Sequence, residues 1–97
     1  MNATLNIYKD CTSEEPTKVY TCRRLIYGAA KKLEEISNKA AKATPEEQEQ
    51  FTIDFLKTIF PNFEDEELNY IDTNEYMQFM KDISKESQRI IEQAQKN

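Results

Sequence analysis

Residues 60–72 read FPNFEDEELNYID, with three aromatics and five acids in thirteen positions. The fold turns on whether this stretch is a metal loop, a helix start or a patch made for another protein. A calcium-binding loop spaces its acids at alternate positions, holds a central Gly for its sharp turn and ends on a Glu. Here the acids Glu64 to Glu67 are consecutive and no Gly is present. Four adjacent carboxylates on a helix point around its circumference and cannot converge on one ion, so no metal is expected. The local physics gives a plainer account. Asn62 caps a short helix, and Glu64, Asp65, Glu66 and Glu67 occupy its first turns, where the macrodipole favours negative charge. Phe63, Leu68 and Ile71 have the spacing of apolar anchors. Residues 62–71 thus read as a short third helix strapped between two longer ones, acids outward and apolar side inward. Tyr70 faces either the core or a partner.

Upstream, ATPEEQ at 43–48 is an unusually complete helix start. Thr44 is the N-cap, Pro45 sits at the first helical position and Glu47 completes a capping box. This second helix runs to Phe60 and stops before Pro61. Phe51, Phe55 and Ile59 fall on one arc and Ile53, Leu56 and Phe60 on the next, together spanning about 200°. That is too wide for a single contact in so small a domain. The helix is expected at the centre, covered on two sides; otherwise it keeps a face for a partner.

Downstream, Asp72 or Thr73 caps the last helix, with Glu75 at a box position. It runs to about Gln95, roughly 33 Å at ~1.5 Å per residue. A compact body of this chain length has a radius of gyration of only ~12–13 Å, so the helix is about as long as the whole domain. Tyr76, Phe79, Met80, Ile83, Ile90, Ile91 and Ala94 form one stripe. Either the final turns overhang and expose Ile90, Ile91 and Ala94 as a partner strip, or they fold onto the first helix or fray.

The first helix is read from Arg23 to Ala41. Leu25, Ala29, Leu33, Ile36 and Ala40 lie within an arc of about 80°, with Ile26 at its edge. Arg24, Lys31 and Lys42 gather to one side. A basic stripe can grip phosphates, but three charges on an amphipathic helix are ordinarily its wet face, and no nucleic-acid partner is expected.

Before it, TLNIYK at 4–9 and TKVYT at 17–21 alternate, and DCTSEEP between them reads as a hairpin loop. A lone hairpin is marginal in water, so Leu5, Ile7 and Val19 must lie on a helix or join another chain's sheet. In such a hairpin Cys11 and Cys22 sit on the order of 16 Å apart. A disulfide needs Cα atoms about 5.5 Å apart, so both thiols are read as reduced. The reading is therefore a single domain over 1–97: a β-hairpin over 1–21, then three to four helices in a small bundle over 22–97. The class is α+β, mostly α.

Composition narrows the function. The chain has 97 residues, 38% hydrophobic and 32% charged, with one Gly and no His. That leaves little material for Gly-rich phosphate loops and none for a His-activated nucleophile. Paired acids need a pocket that separates their pKa values, and no motif supplies one; neither an enzyme nor a cofactor is expected. No apolar run approaches the ~20 residues of a membrane span. MNATLNIYKD lacks the basic and apolar regions of a signal peptide, so the expected location is the cytoplasm. The net charge of −5 hides an asymmetry. Residues 1–44 hold eight Lys/Arg against five Asp/Glu, and residues 45–97 hold five against thirteen, balances of +3 and −8. This is a pair of differently solvated faces, a self-complementary head-to-tail surface, or two ends with separate partners.

The order of elements ends in FEDEELNYIDTNEYMQFMKDI at 63–83. Hairpin, basic amphipathic helix, acidic PEE start and apolar helix ending in Ile59 and Phe60 precede it. This order resembles the small tail assembly chaperones of long-tailed phages, especially those of Gram-positive hosts. Phe63, Glu66, Glu67, Leu68, Tyr70 and Ile71 stand where that family has an aromatic followed by its acidic-helix segment. Tyr76 to Ile83 begin the last helix. The likeness rests on pattern and order across most of the chain, and the hairpin loop and the tail beyond Ser84 add nothing to it.

The resemblance implies a non-enzymatic chaperone that binds the long helical tape-measure protein and helps recruit tail-tube protein during tail assembly. It would act in the host cytoplasm and be absent from the mature virion. It carries no catalytic residues to transfer. A partner is expected to meet Ile53, Leu56 and Phe60 of the second helix, Phe63 and Tyr70 of the strap, and Ile90 and Ile91 of the last helix; a homo-oligomer is possible. The competing reading is a small acidic regulator that binds and inhibits a nucleic-acid-binding protein by mimicry with its −8 half, with strong salt dependence.

Overall fold

The structure, a computed structural model, describes residues 1–96. An antiparallel hairpin of β1 (Ala3–Ile7) and β2 (Lys18–Cys22) leads into α1 (Tyr27–Ala40) and α2 (Pro45–Ile59). A 3-10 turn over Asp65–Tyr70, the strap, joins α2 to the long α3 (Thr73–Gln95). The class is the expected α+β, with the hairpin followed by four helical elements.

The hairpin register corrects one expectation. Leu5 stands opposite Tyr20 and Ala3 opposite Cys22, while Val19 pairs with Asn6. Directly opposed residues share a face, so Tyr20 and Cys22 join Ala3, Leu5 and Ile7 in the core and Val19 points out, 51% exposed. The larger apolar area of the Tyr20 ring, held by neighbours on three sides, decides the register over Val19. The covering element is α3, which packs along β1.

Helix α1 starts at Tyr27 rather than Arg23. Ile26 is its N-cap, in extended conformation and with no side-chain cap bond. The chain leaving β2 stays extended over 23–26, and Leu25 enters the core from this segment. The buried stripe is Ala29, Ala30 and Leu33, with Ile36 and Ala40 only half-covered. Two adjacent alanines let α3 approach closely, and there the buried Ser87 hydroxyl donates to the Ala30 carbonyl at 3.1 Å.

Helix α2 carries the capping box as read. The Glu47 amide donates to Thr44 Oγ1 at 3.2 Å and the Thr44 amide to Glu47 Oε1 at 3.2 Å. The central position, however, belongs to α1, which packs against both α2 and α3. No broad apolar face of α2 is left over. Ile53, Phe55, Leu56 and Phe60 are buried and Phe51 and Ile59 half-covered. Phe60, just past the helix, stacks on Phe79 of α3 at 5.9 Å and tilts against Tyr20 at 5.1 Å.

Helix α3 buries Phe79, Ile83 and Ser87. Ile90 and Ile91 are half-buried against the core, and only Ala94 of the proposed overhanging strip is exposed. The Ser87 contact seats α3 beside the first turn of α1, and the two isoleucines, one turn further, still reach the core.

Candidate interaction surface

The strap is where sequence and structure diverge most usefully. Asn62 does not cap it; Glu64 occupies the N-cap position. The Glu64 amide donates to Glu67 Oε1 at 2.9 Å, and the Glu67 amide to the Glu64 carbonyl at 3.0 Å. Glu64, Asp65 and Glu66 face outward as expected, and Asp65 pairs with Lys57 of α2. Glu67 turns inward, at 9% exposure the one buried carboxylate among the described residues.

Glu67 is accommodated because three donors surround it. The Tyr20 hydroxyl approaches Oε1 at 2.5 Å, the Lys18 ammonium approaches Oε2 at 3.4 Å, and the Glu64 amide completes the set. Lys18 also lies over the Tyr20 ring, 4.8 Å from its centroid. Burial alone would favour the neutral acid. The hydrogen bonds from Tyr20, Glu64 and Lys18, with the Lys18 charge, outweigh it and hold the Glu67 carboxyl below the ordinary range. Burial and the bond to Glu67 push the Tyr20 phenol up. Phe60 and Phe63 flank the Tyr20 ring at 5.1 and 5.7 Å, so one polar knot and one aromatic cluster together fasten the strap to β2.

A second fastening ties the far end of the strap to β1. The Tyr8 amide donates to the Tyr70 carbonyl at 2.8 Å. The Tyr8 hydroxyl donates to the Glu75 carboxylate, 2.8 and 3.0 Å from its two oxygens, and Asn6 adds a bond of 3.2 Å. Glu75 therefore leaves its box role half made. Its amide donates to the Asp72 carboxylate at 3.0 Å, but its own carboxylate crosses to the hairpin.

Of the seven residues expected to meet a partner, Ile53, Leu56, Phe60 and Phe63 lie in the interior, out of reach of any partner while the fold is closed. Ile90 and Ile91 are half-buried. Tyr70 alone is freely presented, 48% exposed, which settles its orientation as outward. The accessible apolar set includes Met77 of α3 together with Ile26 and Tyr27 at the start of α1. The clue to these lay in their phase. Met77 stands beside the stripe of Tyr76, Phe79 and Met80, and Ile26 lies at the edge of its arc.

Beside Tyr70 an open cavity of about 720 Å³ separates the hairpin loop from the strap, lined in part by Tyr8, Asp10, Glu14, Asn69 and Asp72. Among the described residues no three His, Cys, Asp or Glu side chains gather as metal ligands, and no helix is long and apolar enough to cross a membrane. Cys11 is free and exposed, Cys22 free and buried. Comparison with protein-family models, curated proteins and solved structures finds no match to this chain.

Proposed function

We propose that this chain is a non-enzymatic tail assembly chaperone of the long-tailed phage kind, which keeps a tape-measure protein soluble and helps bring tail-tube subunits to it in the host cytoplasm. The observation that carries the reading is the exposure of two large apolar side chains, Tyr70 at 48% and Met77 at 62%. Both belong to the segment on which the family resemblance rests. A rigid surface offering apolar anchors amid charge is suited to the apolar face of an amphipathic helix. The capped and strapped fold holds the backbone that carries each of them.

The test is co-expression with a tape-measure fragment that is insoluble alone. The wild-type chain is expected to keep the fragment in solution and co-purify with it. Tyr70→Ser with Met77→Asp should lose this rescue while the circular dichroism spectrum and melting temperature hold. Ile90→Asp with Ile91→Asp tests the fold as much as the contact, since both side chains pack on the core. Failure of the wild-type chain to rescue any such fragment sinks the reading. Capture of a basic nucleic-acid-binding protein, lost at high salt, would instead favour the acidic-mimic reading.

A further inference from the structure

The two ends of the hairpin differ in charge. Where β2 leaves the sheet, Arg23 and Arg24 lead into Ile26 and Tyr27, 63% and 49% exposed. One turn on, the Lys31 ammonium lies 5.5 Å from the Tyr27 ring centroid. The first turn of α1 contains no acid. None of Arg23, Arg24 and Lys31 joins an ion pair among the described residues. Exposed apolar and aromatic side chains rimmed by Arg have the makeup of a protein contact.

At the other end lies the 720 Å³ cavity, within the ~300–1,000 Å³ of ordinary binding clefts. Its charged lining is Asp10, Glu14 and Asp72 against Lys9, and Tyr70 supplies an apolar wall. The cationic knob of one chain cannot enter the cavity of the same chain. Ala30 is held at Ser87, whereas Tyr8 and the strap are held at Glu75. The twelve-residue step along α3 from Glu75 to Ser87 spans about 18 Å.

We propose that the Arg23, Arg24, Ile26, Tyr27 and Lys31 face is a docking site for a second copy of this chain, whose acidic cavity between hairpin loop and strap receives it. Charge complementarity selects this occupant. The knob is cationic and apolar, and the cleft is anionic with an aromatic wall. Because knob and cleft are different surfaces, the contact is heterologous, and each bound copy presents a fresh knob or cleft to the next. Repetition closes a ring or extends a filament according to the rotation per copy. Tyr70 lies in both proposed contacts, but this association is read on the purified chain alone, with no tape-measure fragment, so its failure and that of the chaperone reading are distinguishable.

Sedimentation velocity on the purified chain tests it. The average mass should rise with concentration. Raising salt from about 0.1 M to about 1 M, which cuts the screening length from ~10 to ~3 Å, should weaken association at least about tenfold. Arg23→Ser with Arg24→Ser removes the charge of the knob, and Glu14→Lys with Asn69→Lys reverses the cleft; all four sites are exposed. Each double variant alone should stay monomeric. Their equimolar mixture should form a one-to-one dimer and nothing larger, because each supplies the surface the other lacks. A wild-type chain that is monomeric at every concentration overturns the proposal. So does association that either variant leaves intact, or a mixture that forms no dimer.

Discussion

The Tyr20 hydroxyl of β2 stands 2.5 Å from Glu67 Oε1 of the strap, across 47 positions of sequence. This contact joins the first-made part of the chain to its least regular helix. A buried carboxylate is stabilising only while its donors are in place, and removing one leaves a charge poorly compensated. Tyr20→Phe is expected to lower stability by about 1–2 kcal/mol, read as a melting temperature lower by roughly 4–16 °C for a domain of this size. Core burial of the ring is unchanged in the variant, so an unaltered melting temperature would show the hydroxyl to be idle.

The same knot sets a pH response. The Glu67 carboxyl titrates below its ordinary value in the folded chain. Its ionised form therefore contributes stability above the unfolded value of ~4.3, and that contribution is lost as pH falls through the lower folded value. Wild-type stability should drop more steeply between about pH 5 and pH 3 than that of Glu67→Gln. Asp10, Glu35 and Glu86, also held low by their partners, are common to both proteins and cancel in the difference. Parallel curves from chemical denaturation would reject the assignment.

Close approach of α1 and α3 depends on Ala30, which has no exposed surface, and on its carbonyl's bond to Ser87. Ala30→Leu inserts atoms where none fit and should cost at least about 1–3 kcal/mol. The single glycine gives the opposite expectation. Gly28 lies in the first turn of α1 with nothing within 4 Å of an added Cβ. Gly28→Ala should stabilise by about 0.5–1 kcal/mol, and urea midpoints of the two variants should move in opposite directions.

The two thiols should separate by rate. Cys11 is exposed at the hairpin loop, whereas Cys22 is buried and burial pushes its thiol up. Since the thiolate is the reactive form, a brief iodoacetamide pulse on native protein should alkylate Cys11 alone. Denaturant should add the second label, as peptide mass spectrometry would record; equal labelling in the native state would contradict the burial of Cys22.

Elements with strong local signals were legible in the sequence. The Thr44–Glu47 box, the Asp72 cap and the stripe of α3 from Tyr76 to Ile91 follow local patterns, and each formed where its pattern stood, with Ala94 alone of the stripe left exposed. What escaped depends on partners far along the chain. Val19 and Tyr20 are equal candidates for the buried phase until Phe60, Phe63 and Glu67 arrive beside the phenol. Glu67 looked like one acid in a solvated run because nothing within 63–72 reveals Lys18 and Tyr20 opposite it. Glu75 had a sound local partner at Asp72, and the tertiary bond to Tyr8 won. Ile53, Leu56, Phe60 and Phe63, expected to meet a partner, are buried for a related reason. Apolar width on α2 measures how much must be covered, and the covering came from this chain's own α1, Phe79 and Tyr20.

The bonds from Asn6 and Tyr8 to Glu75 span 69 and 67 positions. At a synthesis rate of ~5–20 residues per second, the hairpin waits roughly 3–14 s for the helix that covers it. Closure is thus timed by translation of α3. A nascent chain paused before Tyr76 still displays Leu5 and Ile7, the β1 residues that α3 covers.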